Sequence, residues 1–248
     1  MIVNPTPTGW QVIYQQSHAL LASQLAFHWV PFLPTDLWVG LLAATAQHDD
    51  EQQAWQGRGG HYGLTPAGAP ANFTQMPFSM TQARGLLSAA RFQGRWRGLL
   101  TSLHLSTLYE ELRDTKPDIT SFLDELLADQ AQWTKALKLT KAQVRQAYDL
   151  LHWCDRLSLI FCRQELPEMG REVEVYHHPL NRKDVQYVSQ PTGPGSPVVV
   201  HPWPFAEPEI TVSVEASLLT QLQFKDDAEL AQALRQAPVE TLRWTLTR

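Results

Sequence analysis

The chain has 248 residues, enough for one sizeable hydrophobic core and too few to demand two independent domains. Apolar residues make up 44% and charged residues 18%, with nine tryptophans, so there is ample material to bury and little resemblance to disordered chains. The net charge of −5, with no cluster of lysine and arginine, argues against a nucleic-acid partner.

The first segment, "MIVNPTPTGWQVIYQQ", has neither a basic stretch nor an apolar run of signal-peptide length. No stretch approaches the roughly 20 apolar residues of a membrane span, so a cytoplasmic protein without a membrane partner is expected. "GWQVIYQQ" alternates as a short strand. Ser17 is the expected N-cap of a first helix through Trp29, which Pro31 and Pro34 then end. Thr35 or Asp36 caps a second helix, "TDLWVGLLAATAQ", that runs into His48, Asp49 and Asp50. "GRGGHYGLTPAGAPANF" carries too much glycine and proline for regular structure and reads as a loop. Helical periodicity returns near residue 79 and continues, with interruptions at Gly94 and Pro117, to "FCRQEL". Five to seven helices fit. Cys154 and Cys162 lie on one predicted helix, roughly 12 Å apart at about 1.5 Å per residue, and are expected as reduced thiols.

After Pro167 the pattern shifts to short, β-branched, alternating runs: "REVEVYHH", "VQYVSQ", "SPVVVH" and "EITVSVEA". One helix, "DDAELAQALRQA", and a last strand, "TLRWTLT", complete the chain. The expected fold is α+β overall. It has a mainly α body over residues 1–167 and a small C-terminal antiparallel β annex over 168–248, packed as one compact unit.

Polar residues interrupt the apolar stripes of this body. Val144, Tyr148, Leu151, Asp155, Leu159 and Cys162 follow one another at helical steps, so Asp155 takes a core position. His104 stands between Leu100 and Leu108, and His18 precedes Leu21, Ala22 and Leu25. On the second helix Trp38, Leu41, Leu42 and Thr45 lead to His48 and Asp49, about 100° apart on the same face. A solitary ionised carboxylate in an apolar interior costs several kcal/mol or more unless paired or bound to a cation. Taken singly, each of these residues has a structural explanation: an internal ion pair for Asp155, with Arg156 or another arginine, and a backbone carbonyl for each histidine. Four helices each directing a histidine or aspartate inward point instead to a metal. Imidazole and carboxylate together suit Zn, Fe, Mn or Ni, with Mg also considered, as one or two ions.

The order His18, His48-Asp49, Asp155 resembles the H…HD…D signature of the HD superfamily of metal-dependent phosphohydrolases. Nearly the whole chain also resembles a bacterial family, the domain of unknown function 3891, through "QQSHALLASQLAFHW", "LLAATAQHDDEQQAW", "LLTSLHLSTLY", "CDRLSLIFC" and "VHPWPF". The superfamily resemblance implies an HD-domain-like helical bundle in which His18, His48, Asp49 and Asp155 are metal ligands. Within it His104 is a further ligand or a phosphate contact, and Asp50 is a proton acceptor. The implied function is hydrolysis of a phosphorylated or otherwise activated small molecule such as a nucleotide. The alternatives are a non-catalytic binding or structural protein with an inward metal or polar cluster, and a di-iron oxygenase of HD type. "HDDEQQAW" departs from the apolar residue and glycine that many HD hydrolases place after the pair. Arg58, Arg156 and Lys116 are the cations considered for holding a phosphate.

Other features carry structural readings. His61 is a loop histidine, and His152, one turn before Asp155, is placed to support it. Trp29, Trp55 and Trp153 are core aromatics before they are a substrate wall. "GRGG" lacks the lysine of a phosphate loop, His177 and His178 fall in a hairpin, and Ser106 diverges from His104 on the helix. Oligomeric state is not encoded in any of these patterns.

Overall fold

A computed structural model describes residues 1–50, 63–167 and 170–248. Trp55, Arg58, His61 and the "GRGG" run lie outside the described residues. The chain begins with two strands, β1 (Ile2–Thr6) and β2 (Gly9–Ile13). Six helices follow: α1 (Gln15–His28), α2 (Thr35–Ala46), α3 (Met80–Gln93), α4 (Arg95–Tyr109), α5 (Pro117–Ala136) and α6 (Lys141–Cys162). The remainder comprises β3 (Glu172–His178), β4 (Asn181–Ser189), β5 (Val198–His201), β6 (Glu209–Leu219), α7 (Asp227–Gln236) and β7 (Val239–Thr247).

The seven strands form one mixed sheet in the order β1-β2-β6-β7-β5-β4-β3, antiparallel throughout except where β5 runs parallel to β7. This overturns the expected mainly helical, HD-domain-like bundle with a small C-terminal antiparallel annex. The sheet takes strands from both ends of the chain, because β2 pairs with β6 through Val12 and Ser217. It supplies a main wall of the core. Pro5 and Pro7 hid β1 from a reading of strand propensity; β1 is an edge strand, where a missing backbone donor costs little. Gly9 turns the hairpin where side-chain space is absent, since a Cβ there would stand 1.9 Å from the Leu219 carbonyl oxygen.

The largest core cluster lies between this sheet and α1 and α6. Ile13, Val212, Val214, Val198 and Leu246 meet Leu21, Leu25, Leu150, Leu157 and Phe161 across it. α1 packs on α2, α6 and β6, and so occupies the centre of the molecule. Trp29 and Trp153 are core residues in edge-to-face contact at 4.8 Å. Cys154 and Cys162 are buried free thiols. A second cluster, including Leu87, Leu105, Phe122 and Leu126, joins α3, α4 and α5, and a third seats α7 on the sheet through Leu230 and Leu234.

Local corrections have local causes. α1 starts at Gln15, with the Tyr14 carbonyl accepting from the amides of Ser17 and His18, so Ser17 lies inside the helix and is not its cap. α2 ends at Ala46, and His48, Asp49 and Asp50 occupy the turn that follows, not the helical face assumed from spacing. Ser79 and Thr140 do cap α3 and α6, accepting from the amides of Gln82 and Gln143. Among the described residues no helix is long and apolar enough to cross a membrane.

Candidate metal centre

Four segments converge at the buried centre of the helical layer. α1 contributes His18, the turn after α2 contributes His48 and Asp49, α4 contributes His104, and α6 contributes Asp155. All five are at most 8% exposed, a degree of burial that demands a partner for each charge. His18 Nε2 lies 3.2 Å from His48 Nε2, 3.4 Å from Asp155 Oδ1 and 3.5 Å from Asp49 Oδ2. His48 Nε2 is 3.1 Å from Asp155 Oδ1 and 3.8 Å from Asp49 Oδ2. Among the described residues Asp155 has no arginine ion-pair partner: Arg156 is exposed and donates to the Glu174 carbonyl at 3.4 Å.

The turn after α2 sets the chemistry of His48. Its Nδ1 lies 2.7 Å from the Thr45 carbonyl oxygen, which can only accept, so Nδ1 carries a proton. The neutral ring therefore presents a lone pair at Nε2, aimed at another imidazole nitrogen and a carboxylate oxygen. That contact needs a proton or a metal ion between the donors: an Nε2–H of His18, whose Nδ1 has no partner among the described residues, or a cation. Burial acts to lower the His48 pKa, but the charges of Asp155 and Asp49 and the two hydrogen bonds outweigh it and hold the ring up at about 9. Burial likewise opposes ionisation of Asp155, and His48 with the His18 and His48 hydrogen bonds holds its carboxyl well below the usual range. His104 is pushed down to about 4, chiefly by burial and next by His48, so it stays neutral.

Two overlapping ligand groups result: His18, His48 and Asp49, and His48, His104 and Asp155. In each, one donor atom per residue lies within 4.8 Å of the others. The donor set of imidazole nitrogens and carboxylate oxygens fits Zn, Fe, Mn or Ni better than Mg. The His48–Thr45 hydrogen bond is the kind that orients a metal-bound imidazole. The Nδ1 atoms of His18 and His104 have no hydrogen-bond partner among the described residues.

A cavity of about 440 Å³ opens over the cluster, with His48, Asp49, His104 and Asp155 in its floor. Its wall is mixed: Phe73, Phe78, Leu108 and Leu159 are apolar, while Gln15, Gln82, Tyr109 and Glu111 bring amides, a phenol and a carboxylate. Among the described lining residues there is no lysine or arginine. Lys116 lines a separate surface depression beside Asp114 and Asp124. Asp50 is outside the cavity lining; it faces the field of Arg97, a buried guanidinium lowered by burial and raised again by Asp50. His152 packs its ring on Tyr176 at 4.4 Å and makes no hydrogen bond to Asp155. Ser106 donates to the Ser102 carbonyl at 2.9 Å. His177 and His178 end β3, in the expected hairpin.

Three neighbours of the cluster escaped the sequence reading. Gln15 donates to Asp49 Oδ2 at 3.1 Å and precedes His18 by three residues, so extending the α1 stripe by one turn finds it. Tyr109, whose hydroxyl is pushed up to about 12 by burial and then by Asp49, follows His104 by five and lay beyond the stripe considered. Arg97 precedes His104 by seven, two turns along α4, and holds the Gln47 side chain and carbonyl at 3.3 Å.

A family model described as "Protein of unknown function (DUF3891)" matches residues 1–221. No curated protein and no solved structure matches the chain.

Proposed function

The chain belongs to the DUF3891 family, whose description assigns no activity, and from the geometry of its buried cluster we propose a metal-dependent hydrolase acting on a small molecule. The observation that carries this reading is the pair of imidazole Nε2 atoms 3.2 Å apart with two carboxylates beside them, under a cavity of about 440 Å³. The order His18, His48-Asp49, Asp155 matches the HD signature and supports the same reading through its donor set; the fold lends it no support.

His18, His48, Asp49 and Asp155 would hold the ion, with His104 at its edge. When bound, such an ion supplies Lewis acidity, acidifying water and polarising a substrate oxygen. His48 has one nitrogen to give, because Nδ1 is committed to Thr45, so the two overlapping groups cannot both be filled through it. One ion per chain is the stoichiometry this geometry favours. Gln15 fixes Asp49 from outside the cluster, and His104, neutral in the cavity floor, would be the side chain available to accept a proton. Among the described residues the lining brings no lysine or arginine to the cluster, which favours a substrate of low negative charge over a nucleotide.

A second reading has its own support. A proton on His48, held up at about 9, satisfies the cluster without metal and leaves a structural polar network. Elemental analysis of untagged protein separates the two. Near-stoichiometric transition metal, with chelator-sensitive hydrolysis in a panel of phosphate esters, carboxylic esters and amides, is expected. Metal-free protein that takes up none on incubation and leaves the panel untouched overturns the hydrolase. A coloured, iron-loaded protein silent on the panel would shift the reading to oxygen chemistry.

A further inference from the structure

A second cavity, of about 840 Å³, opens between α4, α5, α6 and the β3–β4 hairpin. None of the metal-centre residues lines it, although it adjoins them through Leu103, which precedes His104, and through Tyr148, whose ring lies 6.4 Å from that of His104. Its floor is apolar: Leu99 and Leu103 from α4, Leu127 from α5 and Val144 from α6. Leu127 leaves half its surface in solvent, an exposure that packing within the chain does not relieve. The rim is basic. Lys135, Lys141, Arg145 and Arg182 all border the cavity, four of the chain's 20 lysines and arginines in a protein of net charge −5.

Helical spacing builds this asymmetry. On α5 Leu127, Ala131 and Lys135 recur every fourth residue, and on α6 Lys141, Val144 or Arg145 and Tyr148 recur every third or fourth. Each helix thus offers an apolar step beside a cationic one. The single carboxylate in the lining, Asp149, is buried and lies 3.4 Å from Arg182 Nε, with Arg145 also in its field. Lys135 and Lys141 have no ion-pair partner among the described residues. A concave apolar floor under uncompensated positive charge is the complement of one kind of ligand.

We propose that this cleft binds a small amphipathic anion, with an acyl-like apolar body on the leucine floor and a carboxylate or phosphate head between Lys135, Lys141 and Arg145. The size suits a drug-sized molecule. A polyanion is disfavoured by the net charge, and a purely polar anion leaves the leucines uncovered.

The test is calorimetric titration of the whole protein with decanoate, decyl phosphate and neutral decanamide, each below its aggregation limit. One saturable site for an anion is expected, with decanamide at least about tenfold weaker. Lys135→Glu with Arg145→Glu reverses two exposed charges and is expected to weaken the anions by about tenfold or more with the circular dichroism unchanged. His48→Ala should leave the titration as it was. The tighter of the two anions names the head group. Equal binding of decanamide, indifference to charge reversal, loss of the site in His48→Ala, or no saturable binding of either anion would each overturn the assignment.

Discussion

His18 and His48 point their Nε2 atoms at each other across 3.2 Å, while the second nitrogen of His48 is committed to the Thr45 carbonyl at 2.7 Å. The His48 Nε2 lone pair also faces carboxylate oxygens at 3.1 to 3.8 Å, which add negative charge to the same small volume. Burial removes the water that would otherwise screen them. A proton or a metal ion shared among these donors relieves the contacts.

The first expectation concerns Asp49. Asp49→Ala removes one ligand and leaves Asp155 paired with both histidines, so the chain should keep its fold and lose its metal. Affinity should drop by more than the roughly 10–100-fold typical when an outer hydrogen-bond partner of a ligand is removed. Metal content per chain after dialysis, read beside the circular dichroism, checks this; a variant that retains a full equivalent would remove Asp49 from the ligand set.

Chelation should destabilise without unfolding. An ion at 100 times its Kd stabilises by about 2.7 kcal/mol. For a chain of this size, roughly 2–4 °C of Tm accompanies each kcal/mol, so a chelator is expected to lower Tm by roughly 5–10 °C. The same scan on His48→Ala should show almost no chelator response, because that variant has no ion to lose.

Much of this centre was legible in the sequence because α-helices repeat regularly. Asp155 and His104 stand where their stripes demand a leucine, and no property of the folded chain was needed to see it. The turn geometry of His48 was not legible, since spacing alone continues α2 past Ala46, whereas the backbone folds so that Nδ1 reaches Thr45. The sheet was misjudged for a different reason. Each C-terminal strand showed its own alternation, but the pairing of β2 with β6 joins residues more than 200 apart, and no local pattern reports such a contact. Pro5 then disguised β1, whose position at the sheet edge was itself a non-local fact.

His104 separates one ion from two. It shares a ligand group with His48 and Asp155, yet His48 offers a single lone pair. His104→Gln is therefore expected to keep about one metal per chain while perturbing turnover. Wild-type protein with two equivalents, falling to one in the variant, would show that Asp155 bridges a second ion beside His104.

Gly9 tests whether the amino-terminal hairpin belongs to the stability of the whole. An added Cβ would meet the Leu219 carbonyl oxygen at 1.9 Å and its carbon at 2.9 Å, both backbone atoms of β6 that cannot rotate away. Gly9→Ala should cost about 1–3 kcal/mol and lower the midpoint of a single cooperative transition. An unchanged midpoint would mean that β1 and β2 fray from β6 before the remainder unfolds.

Asp149 makes the sign of burial measurable. Desolvation raises its pKa, and Arg182 and Arg145 offset that only in part. A carboxyl whose folded pKa exceeds its unfolded value binds its proton more tightly in the native state. Its contribution to stability is greatest below the unfolded pKa and is lost as pH rises through the folded one. At neutral pH the charged group is therefore a net cost, and Asp149→Asn should raise Tm. The gain should shrink as pH falls through the acid range, where the native carboxyl takes up its proton. A variant less stable than the parent at pH 7 would mean that the guanidinium partners outweigh burial. Because the same substitution removes the one negative charge lining the basic cleft, it should also tighten decanoate binding there.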